Sequence, residues 1–231
     1  MKTIGLIGGM SWESTVTYYK LINEKIRDEL GGLHSAKILL YSVDFDEIER
    51  YQSNDEWDKS GEILGEIAYN LELGGADFIV LCTNTMHKNY EDIKEHINIP
   101  FIHIAECTAD SLKKVNIKRV GLLGTKYTME QDFYKAIIIE SGIEVITPEK
   151  EDIETINSII FDELCLGVIS EESKEVYLRI LDKLVERGAE GIILGCTEIG
   201  LLINQEDTEI RLFDTTEIHA ETAALMAISD S

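Results

Sequence analysis

The chain repeats itself. Ile4-Gly5-Leu6-Ile7-Gly8-Gly9 reads like Val120-Gly121-Leu122-Leu123-Gly124-Thr125 at an offset of 116 residues. Gly75-Ala76-Asp77-Phe78-Ile79-Val80-Leu81-Cys82-Thr83 reads like Gly188-Ala189-Glu190-Gly191-Ile192-Ile193-Leu194-Gly195-Cys196-Thr197 at 113 to 114. A weaker third pair sets Phe101-Ile102-His103-Ile104-Ala105-Glu106 against Leu212-Phe213-Asp214-Thr215-Thr216-Glu217 at 111. Similar composition of α/β strands would explain the third pair alone, but not the Cys-Thr pair. Matches in one order, with offsets this close, are what an ancestral duplication leaves, and two copies fill nearly all of the 231 residues. Whatever this sequence folds into, it builds twice.

The unit is α/β. Short runs rich in Ile, Leu and Val, at 3–7, 37–43, 77–81, 101–104, 119–123, 143–146, 191–194 and 211–213, alternate with helical patterns. Near-continuous apolar strands belong to parallel sheets covered on both faces. Val16, Tyr19, Ile22, Ile26 and Leu30 recur at helical spacing and stop at Gly31-Gly32, with Ser11 as the N-cap. Thr128 and Gln131 have the spacing of a capping box. The polar stretch from Asp44 to Trp57 follows a strand and reads as a loop, either covering a cleft, with Gln52 as a ligand contact, or simply solvated. The expected architecture is two pseudo-symmetric doubly wound lobes with parallel sheets and the active site in the cleft between them.

Charge removes whole classes of partner. A formal net charge of −23 repels phosphodiester backbones and anionic lipid surfaces, so neither nucleic acid nor membrane is expected. Apolar runs fall short of the roughly 18 residues of a membrane span, and Met1-Lys2-Thr3-Ile4 opens no signal-peptide core, which reads as a cytoplasmic protein. The histidines and four cysteines lack the spacing of a zinc site, and Gly5, Gly8 and Gly9 do not fit the dinucleotide pattern, so no metal is expected and a nucleotide is disfavoured.

Two cysteines stand out by position. In open parallel sheets ligands bind beyond the carboxyl ends of the strands, where Cys82 and Cys196 both fall. A hydrolase needs unlike groups in unlike places. Stereochemical inversion at a C–H carbon needs a proton removed from one face and delivered to the other, which a matched pair of thiols suits. A thiol whose pKa is lowered near a helix N-terminus allows one thiolate and one thiol at neutral pH. Thr83, Asn84, Thr85 and Thr197 offer donors for a substrate carboxylate and the charge developing beside it. Thr125, in the place of Gly9, would point at the ligand from the other lobe. Glu198 could hold a substrate ammonium, orient Cys196, or simply suit a helix dipole. Cys107 and Cys165 read as packing residues, His87 as a polar helix residue, and His103 with Asp214 as a pair behind the site.

The wording of Cys82-Thr83-Asn84-Thr85-Met86-His87, Gly195-Cys196-Thr197-Glu198 and Gly5-Leu6-Ile7-Gly8-Gly9-Met10 resembles the cofactor-independent aspartate/glutamate racemase family over essentially the whole chain. Ser11-Trp12-Glu13-Ser14 and Asp132-Phe133-Tyr134 look closer to its broad-specificity branch. The resemblance implies Cys82 and Cys196 as proton donors and acceptors, no pyridoxal phosphate or metal, a free amino acid as substrate, and commonly a homodimer. It carries substrate contacts to Met10, Gln52, Thr83, Asn84, Thr85, Thr197 and Thr125. It also implies a carboxyl-terminal segment that crosses back, giving lobes at 1–102 plus 213–231 and at 103–212. Aspartate-specific relatives tend to carry a Lys at about Cys165 and an Arg near Glu49; here only Arg50 is at hand. A hydantoin racemase, a cysteine-dependent isomerase or decarboxylase, and a non-catalytic amino-acid binding module remain as alternatives.

Overall fold

The computed structural model describes residues 1–229. The chain runs β1 (Thr3–Gly8), α1 (Trp12–Leu30), β2 (Lys37–Ser42), α2 (Phe45–Ser53), α3 (Trp57–Leu73) and β3 (Phe78–Leu81). A 3₁₀ turn (Thr85–Asn89), α4 (Tyr90–Glu95), β4 (Phe101–Ile102) and α5 (Ile104–Lys114) complete the first copy. The second runs β5 (Arg119–Gly124), α6 (Lys126–Glu130), α7 (Asp132–Glu140), β6 (Glu144–Ile146), α8 (Lys150–Asp162), a 3₁₀ turn (Leu164–Leu166) and α9 (Glu171–Glu186). It ends with β7 (Ile192–Gly195), α10 (Ile199–Leu202), a 3₁₀ turn (Gln205–Asp207), β8 (Leu212–Asp214) and α11 (Thr215–Ile228).

Each copy forms one four-stranded, all-parallel sheet, in the orders β2-β1-β3-β4 and β6-β5-β7-β8. The repeat in the sequence is thus a repeat of topology. The central strands are apolar on both faces because helices cover both: Ile4, Leu6, Ile7, Phe78, Ile79, Val80 and Leu81 are fully buried in one sheet, as are Val120, Leu122, Leu123, Ile192 and Ile193 in the other. Burying such side chains contributes about 1.5–3 kcal/mol each, which is the main force holding each sheet to its helices. Among the described residues no helix is long and apolar enough to cross a membrane.

The chain divides into two compact units, Met1–Ile104 with the residues from His219 onward, and Ala105–Ile218. Each unit therefore takes its closing helix from the other copy. In the first, Tyr18 on α1 and His219 on α11 share a hydrogen bond of 2.9 Å, and the Lys2 amide donates to the Ala227 carbonyl at 2.8 Å. In the second, the Tyr134 hydroxyl on α7 donates to Thr108 Oγ1 on α5 at 3.1 Å. Tyr18 and Tyr134 are equivalent at the first repeat's spacing, and Thr108 and His219 at the third's.

Three local expectations differ from the fold. Ile22 and Ile26 face the core of α1, but Tyr18 is the buried tyrosine, and Val16, Tyr19 and Leu30 lie exposed with Trp12 on a neighbouring stripe. The segment expected as a loop is mostly helix α2, N-capped by Asp44, with Ile48 and Gln52 one turn apart as its buried positions. The cap of α6 is Thr125, whose Oγ1 accepts the Thr128 amide, and not a box opened by Thr128. Ser11 does cap α1.

Three imidazoles pack together in the first unit. His87 lies 4.7 Å from His103 and 5.8 Å from His219, ring centre to ring centre. Burial lowers all three, His103 and His219 to about 4 and His87 well below its ordinary value. An unfolded chain takes up these protons below about pH 6.5, while in the native fold His103 and His219 refuse theirs until about pH 4 and His87 is lowered in the same direction. Stability is therefore full above pH 6.5 and declines as pH falls, by roughly 1.4 kcal/mol per pH unit for each histidine. Urea unfolding between pH 7 and 4.5 should show this decline. His219→Gln, which keeps a donor for the Ile102 carbonyl, should make it shallower; a profile identical to that of the parent protein would refute the assignment.

Candidate active site

Within each sheet the connections run to opposite faces on either side of the first strand, which opens a crevice at the carboxyl ends of β1 and β3, and likewise of β5 and β7. Both cysteines singled out by the repeat stand at such a crevice.

In the first unit β1 ends at Gly8-Gly9. A side chain on Gly8 would collide with Thr15, and Gly9 holds φ +98° against the backbone of Val43, a conformation that favours glycine. The Gly9 amide donates to Thr15 Oγ1 at 2.8 Å, and Thr15 in turn donates to the Ser11 carbonyl at 2.8 Å, so the turn carrying Met10 is tied to the head of α1. Alongside, the Cys82 amide donates to the Ile7 carbonyl at 2.9 Å, making Cys82 the last rung after β3. The Thr83 amide bonds back to Leu81, and the chain turns into the 3₁₀ segment Thr85–Asn89. Met10, Cys82, Thr83, Asn84 and Thr85 are all buried. Gln52 reaches this segment from α2, its Nε2 donating to Met86 Sδ at 2.9 Å.

In the second unit Gly195 ends β7 and Cys196 follows. The Cys196 thiol donates to Glu198 Oε2 at 3.0 Å, and the Thr197 hydroxyl donates to the same oxygen at 2.7 Å. All three residues are buried. Across the crevice Thr125 is buried, and its Oγ1 is engaged in capping α6. Behind it, the Asp214 carboxylate accepts the Thr216 and Glu217 amides at the head of α11 and lies against Gly200, where any side chain would clash with it.

The predicted site residues thus assemble as two sets: Met10, Gln52, Cys82, Thr83, Asn84 and Thr85 in the first unit, and Thr125, Cys196, Thr197 and Glu198 in the second. Cys107 and Cys165 are only partly buried, less enclosed than packing residues were expected to be. Among the described residues no group of three or more His, Cys, Asp or Glu is arranged to hold a metal ion.

Thiol electrostatics overturn one expectation. Neither sulfur is lowered by a helix terminus; burial pushes both up, and at Cys196 the Glu198 carboxylate pushes further, with a smaller contribution from Cys165. Desolvation disfavours the charged form, and so does a like charge within hydrogen-bonding distance. Cys82 holds its proton with no carboxylate among the causes, whereas Cys196 holds a proton that already points at one.

Sequence reasoning passed over His87. Its Nδ1 lies 2.7 Å from the Thr83 carbonyl and its Nε2 accepts the Ile104 amide at 3.2 Å. The available signal was the four-residue spacing from Thr83, one helical turn.

Residues 7–223 match the family described as Asp/Glu/hydantoin racemase. The chain is 26% identical to the broad specificity amino-acid racemase RacX of Bacillus subtilis, over 95% of each sequence. A protein from Yersinia pestis, crystallised as a candidate Asp/Glu racemase, shares 53% identity and superposes with a TM-score of 0.92 over 99% of this chain and 100% of that one. An aspartate racemase homologue from Pyrococcus horikoshii shares 37% identity, with a TM-score of 0.86 over 99% and 100%.

Removing the charge beside Cys196 should ease ionisation of its thiol. In Glu198→Gln the midpoint for iodoacetamide labelling of Cys196, followed by peptide mass spectrometry against pH, should move to lower pH, while that of Cys82 stays in place. A midpoint unchanged or raised would contradict the electrostatic role given to Glu198.

Proposed function

The chain belongs to the Asp/Glu/hydantoin racemase family, and on that footing we propose that it interconverts L- and D-amino acids with two thiols, Cys82 and Cys196, and without pyridoxal phosphate or metal. The observation that carries the reading is the duplicated placement: the same side chain follows the equivalent strand in each copy, at the crevice where parallel sheets bind ligands.

Inversion begins with a base. The proton on Cys196 passes to Glu198 Oε2, leaving a thiolate beside a neutral carboxyl. A thiol whose pKa is raised by burial is a stronger base once ionised, which suits a weakly acidic α proton. The Cys196 thiolate takes that proton: the Cα–H bond breaks, an S–H bond forms, and the electron pair spreads into the substrate carboxylate. Hydroxyl, amide and N–H donors of Thr83, Asn84, Thr85 and Thr197 stabilise the carboxylate as its charge grows. Cys82 then delivers its proton to the opposite face of Cα and becomes the thiolate. The inverted product leaves with Cys82 as the thiolate and Glu198 still protonated, a state set for the reverse reaction; passage of that proton through water to Cys82 restores the starting enzyme. Met10 and Gln52 in the first unit and Thr125 in the second are the further substrate contacts of this reading.

Substrates are free amino acids of a broad set. Cys165, on the 3₁₀ turn near Cys196, offers no cation to a side-chain carboxylate. Both thiols must stay reduced, which fits the cytoplasm. The enzyme works as a homodimer: Trp12, Val16 and Tyr19 form an exposed apolar stripe on α1, and the edge strand β2 exposes Leu40 and Tyr41 in the same unit.

Proton NMR in heavy water, across a panel of L-amino acids without added cofactor, should show deuterium entering at Cα as both enantiomers accumulate. Cys82→Ala and Cys196→Ala should each lower racemisation at least about a hundredfold, the usual scale for a missing acid or base. Normal turnover by either variant ends the two-thiol reading. For the dimer, light scattering should give twice the chain mass of 26.1 kDa, and Val16→Asp with Tyr19→Asp should give the single mass; a parent protein of single mass would refute the assembly.

A further inference from the structure

The buried imidazole of His87 has no step in the chemistry above, yet it touches the segment that carries the first thiol. Its surroundings fix its proton. The Ile104 amide can only donate, and the Ile102 carbonyl that also lies near the ring has His219 Nε2 at 3.0 Å, so Nε2 of His87, 3.2 Å from the Ile104 nitrogen, is the acceptor and carries no hydrogen. The single ring proton of the neutral imidazole is then on Nδ1, 2.7 Å from the Thr83 carbonyl, and is donated to it. Burial and the neighbouring His103 and His219 keep the ring neutral, so this arrangement holds across the working pH range. The residue held by that bond is the one that follows Cys82, at the point where the chain leaves the sheet. The second copy has no such brace, because Leu201 occupies the position matching His87 at the Cys82-to-Cys196 spacing. There the thiol is held by the Glu198 carboxylate itself.

We infer that His87 is a positioning residue for Cys82: as the Nδ1–H tautomer, on a ring packed against His103 and His219, it donates to the Thr83 carbonyl and so sets where the Cys82 sulfur lies when it gives or takes a proton. It transfers no proton itself. Misplacing a reacting group by about 1 Å costs on the order of a hundredfold in rate, so one hydrogen bond to the neighbouring carbonyl is enough to matter. This role rests on the two-thiol reading.

Two near-isosteric variants separate the two bonds. In His87→Asn the side-chain amide takes the place of Nδ1 and can still donate to Thr83. In His87→Gln the side-chain carbonyl takes the place of Nε2 and can still accept from Ile104, but the Thr83 carbonyl loses its donor. A brace acting through Thr83 predicts that kcat falls about tenfold or more in His87→Gln and about threefold or less in His87→Asn, with KM nearly unchanged in both. Iodoacetamide labelling of Cys82, read by peptide mass spectrometry, should accelerate about fivefold or more in His87→Gln while Cys196 keeps its rate. Equal kcat losses in the two variants, or unchanged Cys82 labelling in His87→Gln, would overturn the inference, since a purely packing role treats both substitutions alike. If His87→Gln does not fold, the imidazole ¹⁵N shifts of the parent protein decide: an Nε2–H tautomer at His87 overturns the brace, and Nδ1–H supports it. A parent protein that fails to exchange the α proton of any amino acid would defeat the racemase reading, and the labelling contrast between the variants would still report on the brace.

Discussion

A sulfur removed from water keeps its proton unless a neighbour stands ready to receive it, and both halves of this molecule are arranged around that fact. Each cysteine follows the last residue of a fully buried parallel strand, so the low dielectric that stabilises the sheets also raises the two thiols. The copies then answer the same constraint differently. At Cys196 a carboxylate accepts the thiol hydrogen directly. At Cys82 the main chain is held instead, through an imidazole that cannot change charge near neutral pH. Duplication supplied matched sulfurs, and divergence of the next few residues gave them unlike neighbours.

Glycine and small hydroxyl residues bring the crevices into being. Gly8 leaves room for Thr15, whose hydroxyl joins the end of β1 to the start of α1. In the second copy Gly124 makes room for Thr128, which meets Thr125 at the corresponding turn. The backbone bends in the same place by related means, and the site residues inherit their positions from those bends.

Much of this was legible in the sequence because the fold buries what it repeats. All eight strands announce themselves as short apolar runs, most strongly the central ones, which are covered on both faces. The two cysteines were identified by the repeat offset, by their place beyond the carboxyl ends of strands and by the wording of their motifs. Other features depend on partners far along the chain. Tyr18 buries its ring in preference to Tyr19 because its hydroxyl meets His219, 201 residues away, which no helical periodicity reports. Helix α2 was hidden by its polarity: one of its two buried residues is Gln52, whose partner is Met86. His87 looked like an ordinary polar residue because its second contact, Ile104, lies across β4.

The exchange of closing helices has a consequence for cutting the chain. The sequence invites a division near residue 115, between its copies. A fragment ending there would keep α5, whose Ala105, Thr108, Ala109 and Leu112 are buried in the whole protein, with nothing of its own unit to cover them. It would also lack the stretch whose Ala220, Ala223, Ala224 and Ala227 close the first unit. The remaining fragment would be left with the mirror-image deficit. Each copy on its own is therefore an unfinished object, and only fragments that reunite could restore what the intact chain buries.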